Sequence, residues 1–327
     1  MTVSFDQLLK LSEVDKEQVK KYRELLPISS HKIRGNFLAV FGRQFKPNPW
    51  NTCLKPMWGG FYIKYNDLEM MVDPGVNILT RAENLGVNLA RTNVLYVSHA
   101  HIDHKNDSNV VLEMSSYRKS PQTRLLISQK SLQDVAVSTH HAEVAEIILL
   151  DGAHKIGLPG KVSLNPVGPI IHSIDGAYGF VLNLRGLTIG YTADTGFYKS
   201  FLTNEGELDI RNLKDFNGDI TGPGKFNLTL SNQFGDVDIL VFNLHSVTFR
   251  KNSKHNLFHS TVDNAIQVLR NSKVKLCVLD HFNPHGPTGD QFPKLVAEYI
   301  EQESGKRVVM TRLQGLSLGL DEFISKK

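Results

Sequence analysis

The segment VSHAHIDHKND, residues 97–107, sets His99, His101, Asp103 and His104 within six positions directly behind the apolar run NVLYV. Such a run reads as a buried strand, so these four side chains stand where a strand hands over to a loop. If they form half of a binuclear metal site, its other ligands are expected at comparable strand ends. His172 follows NPVGPII, Asp194 follows LTIGYTA, His245 follows DILVFNL and His281 follows KLCVLD. Each apolar run is thus read as a strand that ends in a residue able to bind a divalent metal or move a proton.

The order of elements predicts an α/β fold. NFLAVFG, GGFYIKY and LEMMVDPG read as successive strands bounded by Gly, Pro and Asn. Beyond residue 90, apolar runs alternate with helical patterns: NVLYVSH, a helix near 108–116, RLLIS, a helix near 131–138, and EIILL. Residues 179–194 read as two antiparallel strands across a turn at Arg185 and Gly186, with strands in VDILVFNLH and KLCVLDH later. Residues 5–26 place Leu8, Leu9, Leu11, Val14, Val19, Tyr22, Leu25 and Leu26 at helical intervals, which predicts a helical extension over 1–34 ahead of a domain over 35–327. Residues 199–235 are polar and weakly periodic, an insertion or lid expected to hold a short hairpin or helix and to contact a second subunit. Within it TGPGK lacks the P-loop pattern and reads as a turn.

Composition narrows the class. With 41% hydrophobic and 21% charged residues, the 327-residue chain is expected to be a soluble globular protein with one principal core. No apolar run approaches the roughly 18 residues of a bilayer span, and the first residues show no signal core, so a cytoplasmic location is expected and no membrane partner. Cys53 and Cys277 stand far apart without CxxC spacing and support neither a thiolate zinc site nor a disulfide framework; they read as buried, reduced thiols. A net charge of +4 suits anionic substrates but falls short of a nucleic-acid-binding signature.

Asp73 in MMVDPG, the HxHxDH pattern as HAHIDH, then His172, Asp194 and His281, in that order, resemble the metallo-β-lactamase-fold hydrolase superfamily over roughly residues 35–320. Within it, HSIDGAYGFVLNL, IGYTADTGF, HSVTF and HSTVDNAIQVLRNSKVKLCVLDHFNPHG are most similar to ribonuclease Z and its phosphodiesterase relatives. The resemblance implies a four-layer αββα sandwich holding two Zn²⁺, with Mn²⁺ as the alternative. It places His99, His101 and His172 on one metal, Asp103, His104 and His281 on the other, and Asp194 between them, with a bridging hydroxide as nucleophile. A histidine at 101, where di-iron relatives carry glutamate, favours zinc. Asp73 would accept a hydrogen bond from a ligand histidine; capping the turn at Pro74 and Gly75 is the other reading. His259 in FHST is the candidate general acid, while HST also suits the start of a helix over 261–271, with Ser260 or Thr261 as N-cap. His245 is a substrate contact, a secondary proton donor or a buried polar residue, and Asp103 joins His259 and His245 among the catalytic candidates.

The chain departs from ribonuclease Z in three places. Ser246 stands where the relatives carry the glutamate that orients the acid histidine. Only 21 residues separate His172 from Asp194, too few for the long arm that grips transfer RNA. Lys105, Asn106 and Asp107 make the rim more charged. RKNSKH, residues 250–255, reads as a solvated loop or a phosphate contact; His140, His141, His154 and His285 read as surface or turn histidines. The expected substrate is an anionic phosphodiester: a nucleotide, cyclic ones included, or a nucleic-acid end. A lactone, thioester or β-lactam hydrolase, and a metal-containing binding module without catalysis, are the alternatives; a homodimer is compatible with all three.

Overall fold

Two sheets, whose inner strands are buried on both faces, form the core of the described residues. The computed structural model describes residues 35–42, 59–116, 122–134, 139–170, 172–197, 227–246, 258–282, 291–311 and 315–324. These belong to one compact unit, Ile33–Lys327. The expected helices in residues 1–34, the TGPGK and RKNSKH segments, Cys53, His285 and residues 199–226 of the insertion lie outside the described residues.

The first sheet contains β1 (Phe37–Val40), β2 (Phe61–Tyr65), β3 (Leu68–Val72), β4 (Val94–Val97), β5 (Thr123–Ile127) and β6 (Ala145–Leu149), with β15 (Leu316–Gly319) antiparallel to β1 at its edge. β1 to β3 run antiparallel in turn, and β3 to β6 are parallel. The two-residue period of a strand divides each apolar run between two cores. Phe61, Ile63, Met70, Val72, Val94 and Tyr96 belong to the core shared with the second sheet. Tyr62, Met71, Leu95 and Val97 belong to the outer core with Ile78 and Ala82 of α1 (Ile78–Asn84) and Val111 and Leu112 of α3 (Ser108–Ser116). Burial on both faces is why these strands read as continuous apolar runs instead of alternating ones.

The second sheet follows the order β14 (Arg307–Met310), β13 (Leu276–Asp280), β11 (Ile239–Ser246), β10 (Leu187–Tyr191), β9 (Gly179–Leu184), β8 (Val162–Val167), β7 (Ile156–Leu158), with the short β12 (Ser260–Thr261) beside β11. β9 and β10 form the expected hairpin across Arg185 and Gly186, and β10, β11, β13 and β14 are parallel. Val262, Ala265, Ile266 and Leu269 of α7 (Val262–Arg270) and Val296, Ala297 and Ile300 of α8 (Gln291–Ser304) cover this sheet. The result is the four-layer αββα sandwich.

Aromatic contacts lock the sheets together. Phe180 of β9 meets Tyr96 of β4 edge-on at 4.9 Å between ring centres, and Phe61 of β2 meets Tyr191 of β10 at 4.9 Å. The Tyr96 hydroxyl donates to the carbonyls of Tyr178 and Gly179 at 2.9 and 3.0 Å, so its polar tip is satisfied in the dry interior. Cys277 is fully buried in β13, where burial pushes its thiol pKa up.

The elements correct several expectations. The strand before His172 is Val162–Val167, not NPVGPII, so His172 stands on a loop beyond the strand end. His245 lies within β11 instead of following it. The helix expected near 131–138 begins two residues earlier, as α4 (Gln129–Asp134). Within the 199–235 segment, α6 (Leu228–Gly235) is helical, capped by Asn227, whose Oδ1 accepts from Leu230 N at 3.0 Å. Helices α1 and α5 (Thr139–Val144) carry too few turns to show a periodic signal. Among the described residues no helix is long and apolar enough to cross a membrane.

Phe180→Ala would open a cavity between the sheets at a fully buried position. The expected loss is about 3–5 kcal/mol of unfolding free energy, read from the urea midpoint at unchanged m-value.

Candidate metal centre

Parallel register brings the functional strand ends to one edge of the sandwich. Val72 of β3 pairs with Tyr96 of β4, so Asp73 falls beside Ser98 and His99. Tyr191 of β10 pairs with Val241 of β11, and Asn243 of β11 pairs with Asp280 of β13, so Asp194, Asn243 and His281 are neighbours. Asp73, Ala193 and His281 have φ of 49, 51 and 65°. A left-handed residue turns the chain sharply as it leaves each strand, an uncommon conformation outside glycine and one that clusters at functional sites.

After β4, His101 is the extended N-cap of the single-turn helix α2 (Ile102–Lys105), and His104 N donates to its carbonyl at 3.0 Å. That turn aims Asp103 and His104 back toward His99. His172 comes from the loop between β8 and β9. Tyr178 N donates to Ser98 O, and Ser128 Oγ donates to Gly176 O at 2.6 Å, pinning the loop to the first sheet. Gly176 has φ +74°, and a Cβ there would lie 2.6 Å from Ser128 Oγ and 2.9 Å from Lys130 Cβ.

Hydrogen bonds behind the ring nitrogens assign their tautomers. Asp73 only accepts, so Ser98 Oγ gives it a proton at 2.6 Å and in turn accepts from His99 Nδ1 at 2.9 Å. His104 Nδ1 donates to Asp73 Oδ2 at 2.9 Å, and His172 Nδ1 donates to Phe258 O at 3.2 Å. The Nε2 atom of each ring is thereby turned inward. His99 Nε2 and His172 Nε2 lie 3.1 and 3.0 Å from His101 Nδ1. Three nitrogens with at most one proton to share converge there, an arrangement that a cation fits and a hydrogen-bond network does not.

The second set comprises Asp103, His104, Asp194 and His281, whose ligand atoms lie within 4.8 Å of one another, as do those of the first set. Asp194 Oδ2 is 2.9 Å from His281 Nε2 and 3.3 Å from His104 Nε2, and Asp103 Oδ2 is 3.5 and 3.6 Å from the same two nitrogens. Asp194 Oδ2 is also 4.0 Å from His99 Nε2, between the two sets. Burial pushes the His172 imidazole down to about 3, against the pull of Asp194, and lowers His99 and His101, so all three keep free lone pairs at neutral pH. At His104 burial acts downward too, but Asp194 and Asp103 outweigh it and hold the ring well above the usual imidazole range. Burial opposes ionisation of Asp194, yet His281 and His104 hold it well below the usual carboxylate range. The second set therefore concentrates negative charge where its donors meet and draws in positive charge.

His259 is buried, with Nε2 3.6 Å from Asp194 Oδ2 and its ring 5.2 Å from that of His172. Thr261 is the N-cap of α7, its N–H bonded to Asn264 Oδ1 at 3.1 Å, so the HST segment both starts the helix and faces the centre. The half-buried His245 ring lies 4.3 Å from that of His259. The Ser246 side chain is outside the described residues. Asp73 does not cap the Pro74–Gly75 turn with its carboxylate: Gly75 N donates to the Asp73 backbone carbonyl. His140, read as a surface or turn histidine, is exposed, and His141 is half-buried; both face Glu113, at 3.4 and 3.0 Å. His154 is exposed as expected. Ser98, Tyr191 and Asn243 were not singled out by the sequence. Tyr191 OH donates to Asp73 Oδ2 at 2.6 Å, and Asn243 Nδ2 donates to Asp194 Oδ1 at 2.8 Å.

No protein-family model matches the chain. It is 26% identical over 284 residues to the uncharacterized protein MJ1374 of Methanocaldococcus jannaschii, covering 83% of this chain and 91% of that one. Among solved structures it is similar to the metallo-β-lactamase fold protein YhfI from Bacillus subtilis (TM-score 0.60, 15% identity, 86% of this chain and 98% of that one). It is also similar to a diphosphatase of the PhnP family (TM-score 0.57, 15% identity, 86% and 97%) and to human tRNase Z, short form (TM-score 0.52, 13% identity, 86% and 98%). The chain has the metallo-β-lactamase fold.

Gly176→Ala must either push Ser128 and Lys130 aside or move the loop that carries His172. The expected result is a loss of more than about 1 kcal/mol of stability in denaturant melts, together with weaker metal retention on dialysis against a chelator.

Proposed function

We propose that the chain is a metal-dependent hydrolase that cleaves an anionic phosphodiester, with one zinc ion on His99, His101 and His172, a second on Asp103, His104 and His281, and Asp194 shared between them. The observation that carries this reading is the place of Asp194 Oδ2, 4.0 Å from a nitrogen of the first set and 2.9 and 3.3 Å from two nitrogens of the second. A carboxylate there offsets the repulsion between two cations. The imidazole-rich donor set suits zinc, and the carboxylate and substrate oxygens leave manganese as the alternative. Two bound cations would polarise a phosphoryl oxygen and supply a nucleophilic water near neutral pH.

The remaining work belongs to the chain's own groups. His259, at the edge of both donor sets, is placed to deliver a proton to the departing oxygen of the ester, which leaves much faster as an alcohol than as an alkoxide. His245, lying against His259, is the secondary donor or substrate contact. Residues 173–193 are used up by the pinned loop and the tight β9–β10 hairpin, which supports a small nucleotide or a nucleic-acid end over an intact precursor transfer RNA. The names of two similar structures, a diphosphatase and a tRNase, agree with phosphate-ester chemistry.

Metal analysis of the purified chain, followed by hydrolysis assays on cyclic nucleotides, a precursor transfer RNA, a generic phosphodiester and a lactone, tests the reading. Asp194→Ala is expected to lose metal and hydrolysis together, while His259→Ala keeps its metal and turns over roughly a hundredfold more slowly. Full activity in both variants, or cleavage of the lactone alone, overturns it. Stoichiometric metal without any hydrolysis points instead to a binding module.

A further inference from the structure

Asn243 is a buried amide within β11 that neither donor set contains. We propose that it is a positioning residue that reserves one oxygen of Asp194 for both metals. This rests on the reading that Asp194 is shared between the two donor sets. The two oxygens of Asp194 are not equivalent. Oδ2 faces His281, His104, His259 and His99, whereas Oδ1 accepts the Asn243 amide at 2.8 Å. With Oδ1 engaged by the amide, Oδ2 is the oxygen left facing both donor sets, and a shared Asp194 would use it to hold the two ions.

The amide orientation is determined by its surroundings. Asn243 Nδ2 also lies 3.1 Å from Tyr191 OH, whose own proton goes to Asp73 Oδ2 at 2.6 Å. A flipped amide would set its carbonyl against a carboxylate oxygen and against a hydroxyl with no proton left to give. The backbone is held as well: Asn243 N donates to Thr192 Oγ1 at 3.0 Å, and the residue pairs in register with Asp280. Asn243 Oδ1 is buried without a hydrogen-bond partner among the described residues, so what the amide contributes here comes from its Nδ2 donors. An uncharged donor also suits the task. A lysine or arginine would neutralise Asp194 and weaken it as a ligand, while the amide orients the carboxylate and leaves its charge to the cations. Through Tyr191 and Asp73 the same amide is tied to the orientation of His104 in the second set.

The test compares wild type, N243L, N243D and N243S in the full chain, with D194A as reference. The readouts are zinc stoichiometry, zinc affinity in chelator competition, the visible spectrum of the cobalt-substituted protein, and the melting curve. Leucine keeps the branched shape but cannot donate, aspartate matches asparagine in size but donates only when its carboxyl carries a proton, and the serine hydroxyl is too short to reach, so N243L carries the test and N243S serves if it fails to fold. Folded N243L and N243S are expected to bind the weaker zinc equivalent roughly tenfold to a hundredfold less tightly, and N243D less so where its protonated carboxyl restores the hydrogen bond to Asp194. Their cobalt spectra should shift as Asp194 changes its mode of binding. If these variants keep wild-type affinity and spectrum while D194A loses metal, the positioning role is wrong and the shared carboxylate stands. If D194A also keeps both metals at wild-type affinity, the shared carboxylate fails and the role of Asn243 fails with it.

Discussion

Four hydrogen bonds converge on the Asp73 carboxylate, from Ser98 N, Ser98 Oγ, His104 Nδ1 and Tyr191 OH. Their donors come from the end of β4, from α2 and from β10, so one fully buried side chain joins both sheets at the edge where the metal-type ligands gather. Because a carboxylate can only accept, it dictates the proton position on every group that touches it. His104 must present Nε2 inward, and Ser98, having given its proton away, fixes His99 in the same sense. A neutral Asn at 73 would offer donors where donors already point, and the ring orientations would no longer be determined.

Concentrating these polar groups in the interior is costly unless they are paired. The strands meet the cost in two ways. Aromatic packing between the sheets, with Phe180 on Tyr96 and Phe61 on Tyr191, provides apolar burial directly beneath the polar edge. Tyr191 belongs to both regions, its ring in the core and its hydroxyl in the network. The left-handed backbone at Asp73, Ala193 and His281 then turns each chain out of the dry core within one residue. The rigidity of the centre thus derives from the sandwich beneath it.

Much of the site was legible because its signal is local. His99, His101, Asp103 and His104 lie within one turn and one loop, and an apolar run before Asp194 and before His281 marks a strand end whatever the fold. The helix after His259 was legible from its cap. His172 was found by its residue type and order, but not its setting: the chain passes Val167 and then folds back through Gly176, which no period reveals. Helices α1 and α5 are too short for periodicity to develop.

By itself the sequence determined the α/β order of elements, the six-position signature and the candidate ligands, since these depend on the spacing of residues near one another in the chain. Only the tertiary structure decided which oxygen of Asp194 faces the histidines, which nitrogen each ring turns inward, and that Ser98, Tyr191 and Asn243 hold them so. Those choices rest on contacts between residues far apart in the chain, 118 positions for Tyr191 and Asp73 and 177 for His104 and His281. Strand register brings such residues together, and hydrogen-bond direction, a property of the assembled group, then selects among their orientations.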